Sequence, residues 1–138
     1  RLSGELGKDL KLATGASTQK WVAEQMLRRL NEGGVLPAEH RVPVAVWQFG
    51  TDLTFVGLPG EVVVDYVRLI EEALGPQRLW LAAYCHDTFG YVPSARVLRE
   101  GGYETRGLYH GGIGYFAPEA QDALVGKVRE LAASAGRL

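Results

Sequence analysis

The apolar positions of the chain follow two periods in turn. Trp21, Val22, Met26, Leu27 and Leu30 recur at helical spacing behind a Ser17-Thr18 N-cap, and Gly33-Gly34 ends the run, which predicts an amphipathic helix. Residues 42–49 and 53–58 are rich in β-branched and aromatic side chains and flank Gly50-Thr51-Asp52, the pattern of a β-hairpin. After Pro59-Gly60-Glu61 the helical period returns. Val62, Val63, Tyr66, Val67, Ile70 and Leu74 share one broad face, and Gly75-Pro76 stops it. Residues 78–84 form a short apolar run between breakers, read as a buried strand. A last helix has Pro118 in its first turn, carries Ala120, Ala123, Leu124, Val128 and Leu131, and has Gly136 beyond its end. Residues 86–116 read as loop, apart from a short helix over 94–99, and a loop of that length is usually functional or docked. The prediction is a mixed α/β fold: a hairpin and a further strand packed with three main helices.

Length and composition narrow the classes. With 138 residues and no repeat or linker, the chain has room for one domain at most. Apolar residues at 46% and charged residues at 22% exclude a disordered or fibrous chain, and 18 glycines promise many tight turns. Fifteen basic against sixteen acidic residues leave no electrostatic footprint for nucleic acid or an anionic membrane surface. Apolar runs of about seven residues fall far short of the roughly 20 of a transmembrane segment. Cys85 is the only cysteine, so an internal disulfide and a cysteine metal cage are excluded. The chain starts at Arg1, carries Met26 as its sole methionine and has no signal-peptide pattern, so it is expected to be a piece of a longer polypeptide.

Candidate chemistry lies in two loops that directly follow apolar strands, where open α/β sheets place ligands. The first, Gly57-Leu58-Pro59-Gly60-Glu61, is read as a strand-to-helix turn that sets Glu61 in the first helical turn. There a carboxylate suits the helix dipole, or serves as metal ligand or general base. The second, Tyr84-Cys85-His86-Asp87-Thr88-Phe89-Gly90-Tyr91-Val92-Pro93, gathers imidazole, carboxylate and phenol groups suited to metal ligation or proton transfer. Its alternative reading is an Asp-capped turn beside a packed tyrosine. Gly112-Ile113-Gly114 lacks the preceding strand of a dinucleotide site and reads as a turn, and His110-Gly111-Gly112 has no Gly-x-Ser-x-Gly partner for a serine hydrolase. His40 reads as a solvated loop residue and Cys85 as a buried strand-end thiol more than a nucleophile.

Three segments in order resemble the neutral, non-lysosomal ceramidases and their bacterial homologues, a family of zinc amidohydrolases. Val56-Gly57-Leu58-Pro59-Gly60-Glu61 resembles the family's hydrophobic-Pro-x-Glu turn, residues 83–93 its strand-end loop closing on Tyr-Val, and Glu100-Gly101-Gly102-Tyr103-Glu104 the stretch with a second tyrosine. The resemblance spans residues 42–131 and implies that the chain is the C-terminal part of the catalytic domain, without the immunoglobulin-like domain that ends some members. It implies Zn2+ as cofactor, Glu61 and Tyr91 as two of its ligands, and Tyr103 as the group that orients the substrate amide and stabilises its oxyanion. His86, which stands where many members carry asparagine, and Asp87 are implied as outer partners of the site. The family's two histidine ligands come from earlier in the chain. None of His40, His86 and His110 matches them, so a missing upstream segment is the expected partner and the isolated chain is expected to be inactive. The implied substrate is the N-acyl amide of a ceramide-like lipid, cleaved by metal-activated water, in a secreted, periplasmic or membrane-surface setting. Two other readings stay open: a non-catalytic module docking through its Gly-rich loop, and the same fold acting on another amide or an ester.

Overall fold

The computed structural model describes residues 18–36, 38–105 and 115–137, with side chains from residue 23 onward. Ser17, the Trp21 and Val22 side chains and the glycine motifs between His110 and Gly114 therefore lie outside the described residues. Helix α1 (Thr18–Asn31) is followed by β1 (Ala45–Phe49) and β2 (Leu53–Gly57), which pair antiparallel with Phe49 opposite Leu53 as the hairpin pattern predicts. Two elements then precede the next strand: β3 (Glu61–Val62) and α2 (Asp65–Leu74). Strand β4 (Leu79–Ala82) lies parallel to β2, giving the order β1-β2-β4, so α2 is the crossover that a parallel pair requires. The chain continues through β5 (Tyr91–Val92), α3 (Ala95–Glu100), a 3-10 turn (Tyr103–Thr105) and α4 (Glu119–Ser134). The fold is mixed α/β, as expected.

One apolar core joins the elements from β2 to α4, while Ala23 and Met26 of α1 form a separate cluster with Leu27, Leu30 and Leu36. Val56 and Leu58 from the hairpin meet Tyr66, Ile70 and Leu74 of α2, Phe89 and Val92 around β5, and Leu124, Val128 and Ala132 of α4. Each large side chain buried there contributes about 1.5–3 kcal/mol. Beyond α4, the Arg137 guanidinium donates to buried Thr54 Oγ1 at 3.1 Å and to the Leu74, Gly75 and Gln77 carbonyls at 3.2, 3.2 and 2.6 Å, which ties the end of the described chain to the α2–β4 turn. The opposite sheet face carries a row of rings, Trp47, Phe55 and Trp80, in adjacent register positions.

Three local expectations are corrected. Strand β4 is not buried on both faces: Trp80 is 62% exposed, because among the described residues no helix covers the ring-bearing side of the sheet. The second helix begins at Asp65 rather than at Val62, because Glu61 and Val62 spend their backbone on pairing with β5. Residues 86–116 hold a strand, a helix and a 3-10 turn among those described, so this stretch is more regular than its glycines suggest.

The start of α2 is locked to α3. Asp65 accepts from Arg96 Nε and Nη2 at 2.9 and 2.7 Å and from the fully buried Ser94 hydroxyl, which also caps α3 by accepting the Val97 N–H at 3.1 Å. The Arg96 and Ser94 hydrogen bonds hold the Asp65 carboxyl below its ordinary range. A group depressed in the folded state stabilises above its unfolded pKa and loses that contribution as pH falls through the folded one. Asp65→Asn is therefore expected to cost about 1–2 kcal/mol near neutrality, allowing for the half-exposed Arg96. The gap to the wild type should close below about pH 4 in urea unfolding curves; a pH-independent gap would refute the assignment.

Candidate functional site

The two parallel strands end at the same place, and the turns that leave them are laced together by their backbones. Leu58 N–H donates to Ala82 O at 2.8 Å, Cys85 N–H to Leu58 O at 2.9 Å, Gly60 N–H to Asp87 O at 2.7 Å, Tyr84 N–H to Gly60 O at 2.9 Å and Glu61 N–H to Gly90 O at 2.9 Å. This lacing sets the second strand pair, β3 against β5, with Glu61 opposite Tyr91 and Val62 opposite Val92. Opposed residues of a ladder share a face with their strands about 4.8 Å apart, so Glu61 and Tyr91 emerge side by side while Val92 enters the core. Glu61 is thus a strand residue and not, as the turn pattern suggested, a first-turn helix charge. Asp65 holds that place.

The third member, Tyr103, arrives from the 3-10 turn. Tyr103 stands edge-on to Tyr91, with ring centroids 5.4 Å apart and planes at 81°. Glu61, Tyr91 and Glu104 line a cleft of about 480 Å3 whose far wall is the Asp65, Arg96 and Glu100 ion-pair group. Three residues separated by up to 42 positions in sequence, each singled out by its motif, are thus brought into one neighbourhood.

A fourth member was not singled out. A hydrogen bond to Glu61, ahead of some desolvation and the Glu61 and Tyr91 charges, raises the pKa of the Tyr84 phenol. Partial desolvation raises the Tyr91 phenol too, followed by the charge of Glu61, the neighbouring Tyr103, a hydrogen bond to Glu61 and the charge of Glu104. Without a cation, then, Glu61 is the acceptor and both phenols keep their protons. A cation against the same oxygens reverses that balance, because its charge favours the phenolate.

His86 and Asp87 sit at the margin. The His86 ring stacks on Trp47 of β1 at a centroid distance of 6.4 Å, on a backbone with φ of 69°. Asp87 takes part through its backbone, its carbonyl accepting from Gly60 and its N–H donating to Cys85 O at 2.8 Å. His40 is not a solvated residue: its Nε2 is buried with no hydrogen-bond partner, and its ring meets the edge of Phe89 at 4.5 Å. The adjacent Glu39 and Arg41 hid that position in the sequence. Cys85 is half-buried, its thiol resting 3.6 Å from the Ala82 and Ala83 carbonyls.

A carboxylate and a phenol held side by side are hard oxygen donors of the kind zinc accepts, and they amount to half of a four-coordinate site. Among the described residues no group of three or more His, Cys, Asp and Glu side chains is placed to hold a metal ion. No described helix is long and apolar enough to cross a membrane. Comparison of the chain with family models, with curated proteins and with solved structures finds no match.

Proposed function

We propose that the chain is the C-terminal part of the catalytic domain of a zinc-dependent amidohydrolase resembling the neutral ceramidases, acting on the N-acyl amide of ceramide-like lipids. The observation that supports this reading is the register of the second strand pair, which sets Glu61 against Tyr91 and leaves Tyr103 ring-to-ring with Tyr91. These are the three residues to which the sequence resemblance attaches ligand and oxyanion-stabilising roles. They converge although two-residue strands leave no trace in a hydropathy pattern.

In this reading Glu61 and Tyr91 hold Zn2+ through a carboxylate and a phenolate oxygen, and two further donors come from outside the described residues. Zinc, when bound, polarises the amide carbonyl and activates water for attack. Tyr103 does the remaining work within this chain. Its hydroxyl donates to the substrate carbonyl oxygen and more strongly to the charge that develops there in the transition state. The cleft walls, with Arg96 already satisfied by Asp65 and Glu100, offer no spare cation, which suits a neutral amide better than an anionic substrate.

Removing one such donor typically costs about 10²–10³ in kcat. Tyr103→Phe in the intact protein should therefore lose turnover of a fluorescent ceramide analogue by that factor, with KM and zinc content little changed. Wild-type kcat in this variant would remove Tyr103 from the chemistry.

A further inference from the structure

A second cavity lies across β5 from the cleft: Tyr91 lines the cleft, and Val92, the next residue, lines the cavity. Its volume is about 200 Å3, and its walls among the described residues are almost wholly apolar, with Val42, Val44 and Leu124 beside the rings of Phe89 and Phe116. Two polar side chains, His40 and Lys127, share those walls. The Lys127 amine is paired with Glu130 at 2.7 Å, whereas His40 Nε2 is buried and has no hydrogen-bond partner among the described residues. We infer that this cavity is a binding site for a small neutral molecule made of one apolar ring and one hydroxyl, the hydroxyl pairing with His40. The inference stands apart from the metal reading, which uses none of these side chains.

Size, lining and the orphaned nitrogen each narrow the occupant. An apolar cavity of roughly 150 Å3 takes benzene, so one of about 200 Å3 takes a single ring with a substituent. Water fills it poorly, because a buried water needs two to four polar partners and the only unpaired polar atom in these walls is His40 Nε2. An anion is disfavoured, since the ammonium on the wall is already held by Glu130. The His40 nitrogen is what selects a hydroxyl. A buried polar atom left unpaired is a standing cost, and a hydroxyl, which both donates and accepts, answers the imidazole in either tautomer. The His40 ring is set edge to face against Phe89 at 4.5 Å with planes at 74°, and Phe89 in turn meets Phe116 at 6.3 Å. A ligand ring thus joins an aromatic cluster that the fold has already assembled.

The test is the affinity of the intact protein for phenol and for toluene, two rings of nearly equal size that differ in the hydroxyl. Calorimetric titration compares the wild type, His40→Phe and Ala120→Leu, with urea midpoints measured alongside. The wild type is expected to bind both molecules. His40→Phe keeps a ring against Phe89 and loses the nitrogens, so the ratio of phenol to toluene affinity should fall about fivefold from the wild type, the effect of one hydrogen bond. Its midpoint should be unchanged or higher, because an unpaired polar atom has been replaced by carbon. Ala120→Leu, which fills the cavity from α4, should lose both ligands. The inference is overturned by a wild type that binds neither, by an unchanged affinity ratio or a lowered midpoint in His40→Phe, or by binding that survives Ala120→Leu.

Discussion

Gly60→Ala is expected to destabilise the protein by about 3 kcal/mol, the sum of a left-handed backbone cost of roughly 1–2 kcal/mol and an overpacking cost of similar size. Gly60 has φ of 67°, and a Cβ built on it would lie 2.9 Å from Gly90 O, 3.0 Å from Val92 Cγ2 and 3.1 Å from Phe89 Cζ. Neither a carbonyl in the lacing nor a core valine can give way cheaply. Gly33 supplies the control: with φ of 78° and nothing within 4 Å of its absent Cβ, Gly33→Ala carries the backbone cost alone, about 1 kcal/mol. Because Gly60 N–H and O both belong to the lacing that aligns β3 with β5, the Gly60 variant should also separate Glu61 from Tyr91. Urea unfolding of the two variants checks the difference. Equal losses would show that close approach at Gly60 is not what shapes the site.

Much of this arrangement was legible in the residues, for identifiable reasons. The hairpin, the crossover helix with Tyr66, Ile70 and Leu74 inward, and the last helix with Leu124 and Val128 inward each repeat an apolar signal over several turns or pleats. Glu61 and Tyr91 were legible as loop residues following strands, and the carboxyl ends of parallel strands are where the fold puts them. What joins them was not. A two-residue ladder contains one repeat of a two-residue period, so Glu61 read as a helix charge although Asp65, four positions on, holds that place. Tyr84 escaped notice because nothing in the residues announces its φ of 58° or its backbone bond to Gly60 beside the Glu61 turn. His40 was misread because flanking charges say nothing about a ring that turns inward to Phe89. The anchoring of Asp65 by Ser94 and Arg96 spans 29 and 31 positions, beyond any local pattern.

Glu61→Ala should have the largest functional effect of any single change. Glu61 raises the pKa of both the Tyr84 and Tyr91 phenols and is, in the proposed centre, the one carboxylate ligand, so its loss removes a charge and a donor atom. Little stability should go with it, since Glu61 is half-buried and lies outside the core. The expected outcome is an intact protein with a near-wild-type urea midpoint, at least a 100-fold weaker hold on zinc, and amide hydrolysis reduced by about 10³ or more. A module that docks through its Gly-rich loop has no use for zinc and would show none in either form. The decisive measurement is therefore the zinc content of the intact protein beside that of its Glu61→Ala variant, taken with hydrolysis of a ceramide analogue on the same samples. One zinc per chain and turnover in the wild type, both lost in the variant, is the predicted result. Zinc and turnover retained in Glu61→Ala, or a wild type that carries no zinc, would contradict the account.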